Sequence, residues 1–454
     1  MLYQLLRPLI TAGIKAYFKR VSITGGSHLE GDRVLFVCNH PSALFDPVLI
    51  AISTRKPLHF LAGAEWFGKG FQRWLFQRQF NMIPVYRPWL AHEGAKEKVS
   101  NEDMFRACYE SLAAKKRIII FPEASSVTVP WIRDIKTGAA RIKIGADKHD
   151  PKQEPVKIVP IGINYTNPHR FQTSVLIKVG DPIDFKDLEQ SIDDEKMLVQ
   201  AMTTRIKEEM SNCLSYNENE DALSFIKDVK KIMTDTLKSE LGVAEGDVDK
   251  EFIIRKSIVD EIELKLKQDP DSTLEIAREL RAYIERYESY GFRQYNPFQE
   301  KVWVFIMKLV ALIIGAPFFF IGAIINFIPF VITRWVYQHF FLPKVTVKDA
   351  QGQLNSAFAG SLGFIAGLVV FLVWYALLWI LVSMAIPWWI SAIALVFLGY
   401  TCGQFAMLYY KWWVQCRKFI RWQRYRISRP NEMRALLQER HRLISDLLSL
   451  RKDR

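Results

Sequence analysis

The chain has 454 residues, half of them apolar and 13% aromatic, with a net charge of +13. That length leaves room for two or three domains. The five cysteines (Cys38, Cys108, Cys213, Cys402, Cys416) are too scattered for a disulfide framework or a zinc site, the eight histidines show no ligand spacing, and no nucleic-acid fold signature accompanies the charge, so neither a metal nor a nucleic-acid partner is expected.

Near the start, Leu2, Leu5, Leu6, Leu9, Ile10, Ile14, Tyr17 and Phe18 recur at helical spacing, with Arg7, Lys15, Lys19 and Arg20 around them. The pattern predicts an amphipathic helix within residues 1–29, lying in a membrane interface or packed on a soluble domain. Arg7 interrupts the apolar run and no small-residue cleavage site follows, which argues against a secretory signal.

Residues 30–185 alternate strand-like and helical runs, the pattern of an α/β layer. Leu35–Cys38 reads as a buried strand, and Asp46-Pro47 as a helix start, with Asp46 the N-cap and Pro47 the first helical residue. His40 then falls in the strand-to-helix loop, with Asp46 close by. A carboxylate that orients an imidazole is what a general base needs; taken alone, the pair is better read as a partly exposed loop histidine and a capping aspartate. Leu58–Ala62 is a strand, and Met82–Arg87 a short strand ending in an arginine. Arg117–Phe121 is a further strand, running into a loop that carries Glu123, Ser125 and Ser126. Lys136-Thr137-Gly138 opens a helix. Ile158–Tyr165 is a strand whose Pro160 predicts an edge position or a bulge, and Ser174–Val179 is another strand.

In this order, the blocks around His40, Met82–Arg87, Phe121–Ser126 and Ile158–Tyr165 resemble those of the glycerolipid (PlsC-type) acyltransferase superfamily, over roughly residues 30–185. Five residues, Pro41 to Phe45, separate His40 from Asp46 where the family usually has four. That spacing is similar to the subgroup of yeast-type glycerol-3-phosphate and dihydroxyacetone phosphate acyltransferases and their bacterial relatives. The third block usually reads Phe-Pro-Glu-Gly, whereas this chain has Ala124, at a position where glycine would allow positive φ.

The resemblance implies acyl transfer from an activated thioester (acyl-CoA or acyl carrier protein) to an alcohol, with His40 as base and Asp46 as its orienter, and with no cofactor beyond that donor. It implies that Arg87 and Glu123 line the acceptor pocket, Arg87 for a phosphate and Glu123 for a glycerol hydroxyl. Ser125 stands beside Glu123 as a further contact or only as a turn cap. Lys136, at a helix start, is a second candidate for phosphate. The implied acceptor is glycerol 3-phosphate, with lysophosphatidate, dihydroxyacetone phosphate or another lysolipid as alternatives. A non-catalytic membrane scaffold on the same fold is the alternative of another class, and the joint presence of His40, Asp46 and Glu123 argues against it. There is no Gly-x-Ser-x-Gly elbow of a lipase-type hydrolase.

Residues 186–300 are charged and helical by pattern, predicting a helical subdomain that covers the α/β layer or bridges it to a membrane; Ala222, Ile226, Val229, Met233 and Leu237 form one apolar stripe, and Leu274, Ala277, Leu280, Ile284 and Tyr287 another. No charge occurs between Lys308 and Arg334, or from Ala350 to Tyr410, and both gaps exceed the ~20 residues that cross a bilayer. Residues 301–410 are therefore expected to form a membrane domain. It would comprise spans at 362–385 and 388–410 and, because Gly315, Pro317, Gly322, Asn326 and Pro329 interrupt the first gap, a re-entrant hairpin over 309–333. The tail 411–454 carries 13 basic and four acidic residues, a net +9, interleaved with tryptophans. It is expected to face the cytoplasm, on the same side as the catalytic domain, and to meet anionic lipid headgroups, in a bacterial inner membrane or endoplasmic reticulum. Its last stretch, Met433–Leu448, predicts an amphipathic helix at the membrane surface.

Overall fold

The computed structural model describes residues 2–64, 67–68, 70–85, 101–217, 219, 222–243, 247–292, 301–345 and 355–452. Arg87 lies outside the described residues. The chain divides into two units, residues 1–218 with 340–364, and residues 219–339 with 365–454.

The first unit is built on seven strands: β1 (Arg20–Thr24), β2 (Val34–Cys38), β3 (His59–Gly63), β4 (Met82–Val85), β5 (Arg117–Ile120), β6 (Lys157–Tyr165) and β7 (Ser174–Val179). They lie in the order β1-β7-β6-β2-β5-β3-β4, and every neighbouring pair is parallel except β6–β7. Central β2 is buried throughout, which is why it reads as an unbroken apolar run. Leu35 and Val37 face one core, with helices α3 (Asn101–Ala113), α4 (Gly138–His149) and α5 (Glu195–Asn212). Val34, Phe36 and Cys38 face the other, with α1 (Leu2–Tyr17) and α2 (Phe45–Ser53).

Three expectations for this unit need correction. The layer begins at Arg20 rather than residue 30, because β1 pairs with β7. α5 contributes Met202, Ile206 and Met210 to the sheet's core, so the separate helical unit starts at Asn219 rather than residue 186. Pro160 is neither at an edge nor in a bulge, since β6 lies between β7 and β2. Its carbonyl accepts from Gly180 N–H at 2.9 Å, so its ring nitrogen faces the same side, where the ladder with β7 starts only at Ile161. The missing N–H therefore costs no sheet hydrogen bond.

At the end of α1, Ile14 and the following Phe18 are buried in the second core, while Leu5 stays 77% exposed. Arg7 donates to the Ile52 carbonyl at the end of α2 (3.0 Å). Phe364, in the opening turns of the helix Ala359–Ser383, packs its ring against Tyr17 and Phe45, with centroids 5.8 and 5.4 Å apart.

The second unit is helical: α6 (Leu223–Glu240), α7 (Val248–Gln268), α8 (Pro270–Ser289), α9 (Val302–Val336), most of α10 (Ala359–Ser383), α11 (Trp388–Ala394), α12 (Cys402–Ser428) and α13 (Pro430–Lys452). The stripe from Ala222 to Leu237 is buried as expected; on α8, Leu280 and Ile284 are buried but Leu274 is half exposed. Three helical stretches, Val302–Phe341, Ala359–Ser383 and Trp388–Ser428, are long and apolar enough to cross a membrane.

The expected re-entrant hairpin over 309–333 is instead part of one continuous helix, α9, about 50 Å long at 1.5 Å per residue. Its interruptions have partners. Pro329 cannot donate to the Ile325 carbonyl one turn earlier, and Trp374 Nε1 of α10 donates to that oxygen at 2.9 Å. Asn326 donates to the Gly322 and Gly399 carbonyls (2.8 and 3.1 Å) and accepts from the Tyr375 hydroxyl (2.9 Å). Gly322 meets the Cys402 carbonyl where a Cβ would overlap it, so α9 and α12 approach closely.

α13 also departs from expectation. Met433, Leu436, Leu443 and Leu447 are buried, and Arg442 pairs with Glu279 of α8 at 2.5 Å, so the apolar face of the helix packs on protein. Tyr290 likewise donates to Glu432 (2.9 Å).

Candidate active site

β5, β2 and β6 are adjacent and parallel, so their C-terminal ends open at one edge of the sheet. Loops leaving that edge are where α/β layers place their chemistry. β2 delivers His40, β5 delivers Glu123, and β6 ends at Tyr165.

His40 Nδ1 lies 2.8 Å from Asp46 Oδ2, which leaves Nε2 as the open ring nitrogen. The ring stacks on Phe121, with centroids 4.2 Å apart and planes 21° from parallel, and the side chain keeps 18% exposure. Asp46 itself is fully buried. It is not the N-cap of α2: the helix begins at Phe45, and the carboxylate turns back to accept the Ser42 N–H at 2.8 Å. Its other oxygen, Oδ1, accepts from the Tyr165 hydroxyl at 2.7 Å. Burial and the neighbouring carboxylate hold the Tyr165 phenol well above its usual range, so it stays a donor. Three donors thus compensate a carboxylate cut off from water.

The Glu123 side chain is also buried. Its Oε2 accepts from Arg133 Nε at 3.0 Å and from the same guanidinium's Nη2 at 2.8 Å, while Oε1 has no hydrogen-bond partner within the protein. Burial raises the Glu123 carboxyl above its usual range, and Arg133 opposes that rise. Arg133 also donates to the Ser125 hydroxyl (3.1 Å) and to the Ser125 carbonyl. The two loops are laced together: Ser126 Oγ donates to the His40 carbonyl and accepts the Ala43 N–H, both at 2.8 Å, and Val127 N–H donates to the His40 carbonyl at 3.2 Å. Ala124 adopts φ 62°, the left-handed conformation for which a glycine would be suited. Thr128 Oγ1 donates to the Pro41 carbonyl at 2.8 Å and lies 3.0 Å from His169 Nε2, bracing the far side of the His40 loop.

Of the residues singled out from sequence, His40, Asp46, Glu123 and Ser125 are drawn together by these loops. Lys136 is joined to them through its backbone, donating to the Pro122 carbonyl at 2.8 Å, while its side chain is exposed. Sequence reasoning assigned no role to Arg133, Tyr165 or His169, and to Ser126 only that of a turn cap. Tyr165 was detectable in principle, since a buried Asp46 needs more donors than one imidazole supplies.

Residues 20–164 match the family model described as Acyltransferase. This segment is an acyltransferase-family domain. The chain is 28% identical over 138 residues to Glycerol-3-phosphate O-acyltransferase 2 of Saccharomyces cerevisiae, covering 30% of this chain and 18% of that protein. It is 38% identical over 88 residues to Glycerol-3-phosphate O-acyltransferase 1 of the same yeast, covering 19% of this chain and 11% of that protein. The chain thus spans less than a fifth of the length of either relative. Among solved structures, the 1-acyl-sn-glycerophosphate (LPA) acyltransferase PlsC from Thermotoga maritima is similar over 46% of this chain and 78% of that one, at 17% identity and a TM-score of 0.32. The acyltransferase domain contains both the His40–Asp46 pair and the Glu123 loop.

Proposed function

We propose that the protein is a membrane-bound glycerolipid acyltransferase that moves a fatty acyl group from an acyl-CoA or acyl carrier protein thioester to a hydroxyl of glycerol 3-phosphate. The observation that carries this reading is the His40–Asp46 pair at 2.8 Å within the acyltransferase domain, with Nε2 left open. A thioester is already activated, so the protein needs no covalent nucleophile. His40 Nε2 takes the proton of the acceptor hydroxyl as that oxygen attacks the carbonyl carbon; the C–S bond then breaks and the thiolate leaves, taking up the proton. Asp46 fixes the tautomer and steadies the imidazolium. Glu123 Oε1, buried and unpartnered within the protein, accepts a second hydroxyl of the glycerol. Arg87 and the exposed Lys136 meet the phosphate, whose oxygens suit a guanidinium fork. The apolar helices keep the lipid product at the interface, and the basic tail meets anionic headgroups on the cytoplasmic face.

The test is a labelled acyl donor offered to the purified protein with a panel of acceptors: glycerol 3-phosphate, dihydroxyacetone phosphate, lysophosphatidate and phosphate-free glycerol. The expected product is lysophosphatidate, with His40→Ala lowering the rate by about 10²–10⁴-fold. Equal transfer by that variant, or equal use of glycerol, overturns the reading.

A further inference from the structure

Ala124 occupies the left-handed region, where a Cβ is disfavoured, in a loop with φ 62° and its N–H bonded to the Phe121 carbonyl at 3.1 Å. Something must hold it there, and the residues on either side of it share one partner. Glu123 accepts from Arg133 Nε and Nη2, and Ser125 accepts from Nη1 through its hydroxyl and from Nη2 through its carbonyl. Arg133 is thus a bracket across the strained residue. The bracket is not a solvated surface ion pair, because the Glu123 side chain is only 2% exposed and that of Arg133 22%.

We infer that Arg133 is a positioning residue: by gripping Glu123 and Ser125 together it keeps Ala124 left-handed, doing for this chain what a glycine at that place would do. Two consequences follow from the geometry. Glu123 Oε2 is engaged by the guanidinium, so Oε1 is the oxygen presented to a substrate. And because Ser126 and Val127 bond the His40 carbonyl, the same grip sets the distance between the Glu123 loop and the base. A lysine could not replace the arginine, since one ammonium cannot bond the carboxylate and the Ser125 carbonyl with a planar fork. This inference deepens the proposed acyl transfer and rests on it for its kinetic readout alone.

The test is a double-mutant cycle on the full-length protein in detergent micelles, with Ala124→Gly, Arg133→Gln and the double variant. It reads kcat, the KM for glycerol 3-phosphate, the KM for acyl-CoA and the thermal midpoint. Arg133→Gln should lower kcat/KM for the acceptor by about 30- to 100-fold while leaving the KM for acyl-CoA within about twofold, as displacement of a single group from its productive position does. In the Ala124→Gly background the same substitution should cost about tenfold less, because glycine holds the conformation without the bracket. Penalties that multiply independently, an Arg133→Gln enzyme with wild-type kinetics, or equal loss in both substrates' KM each overturn the inference. If Arg133→Gln does not fold, Arg133→Lys takes its place in the cycle with the same criteria. If the wild-type protein transfers no acyl group to any acceptor, the functional reading fails on its own. The thermal midpoints then decide the inference: coupling of the two substitutions supports it, and additivity overturns it.

Discussion

The Tyr165 hydroxyl donates to Asp46 Oδ1 at 2.7 Å, on the oxygen opposite the one that meets His40. The tyrosine comes from the end of β6 and the aspartate from the first turn of α2, so the carboxylate that meets His40 is held from two separate elements rather than by one loop. Tyr165→Phe removes one of three donors from a fully buried carboxylate. The expected outcome is a fall in kcat of about tenfold with little change in acceptor KM, and a larger fall, about 10²-fold or more, for Asp46→Asn. Steady-state kinetics on the two variants check this; a Tyr165→Phe enzyme that loses only acceptor affinity would place the tyrosine in the pocket instead.

Stability should fall in mild acid because of His59. Burial, chiefly, and the neighbouring Lys116 lower this imidazole from 6.5 to about 4. The unfolded chain therefore takes up the proton first. The contribution is fully present above pH 6.5 and is lost as the pH falls from there toward about 4. His59→Gln should flatten the pH dependence of the thermal midpoint across that window, measured by scanning the detergent-solubilised protein at closely spaced pH values.

Arg117 is a third test. Its guanidinium is buried at the start of β5 and donates to the Leu29 carbonyl (2.5 Å), the Thr54 hydroxyl (2.8 Å) and the Pro57 carbonyl (3.1 Å). It joins the segments before β2, after α2 and before β3. Arg117→Met leaves those acceptors unpaired in the interior, and a loss of about 3 kcal/mol is expected, visible as a lower denaturation midpoint. A neutral result would mean that water reaches these oxygens.

The Trp374–Ile325 hydrogen bond gives a prediction within the membrane helices. Trp374→Phe should destabilise the protein by about 1 kcal/mol, because the carbonyl freed by Pro329 loses its donor. Pro329→Ala supplies that carbonyl with a backbone N–H, so the cost of Trp374→Phe should shrink when the two substitutions are combined. Equal costs with and without the proline would show that it is irrelevant to the pairing.

These cases also mark what could be read in advance. The apolar runs of β2 and β5 gave both loops of the site, since strands buried on two faces leave an unambiguous pattern. β1, Arg20–Thr24, was missed because only two of its five residues are apolar and its partner β7 lies far along the chain. The Asp46-Pro47 pair marked the helix start to within two residues, yet the same dipeptide serves whether the side chain caps α2 or turns back to Ser42 and His40. Arg133 sits in an irregular loop, where nothing in the local pattern separates a bracket from a solvated charge. The apolar stripe of α13 was visible, but lipid and protein satisfy it equally, and only the contacts with α8 decide between them.

The rings of Phe364, Tyr17 and Phe45 have a practical outcome. Phe45 precedes Asp46 in the chain, so the flank of the helix that bears the aspartate is shielded by a side chain from the opening turns of an apolar span. A shortened protein trimmed to residues 1–218 for solubility would bare that flank. Retaining a surrogate for residues 359–364, or replacing exposed aromatic surface there with a polar side chain, would be the first step in preparing a water-soluble catalytic fragment.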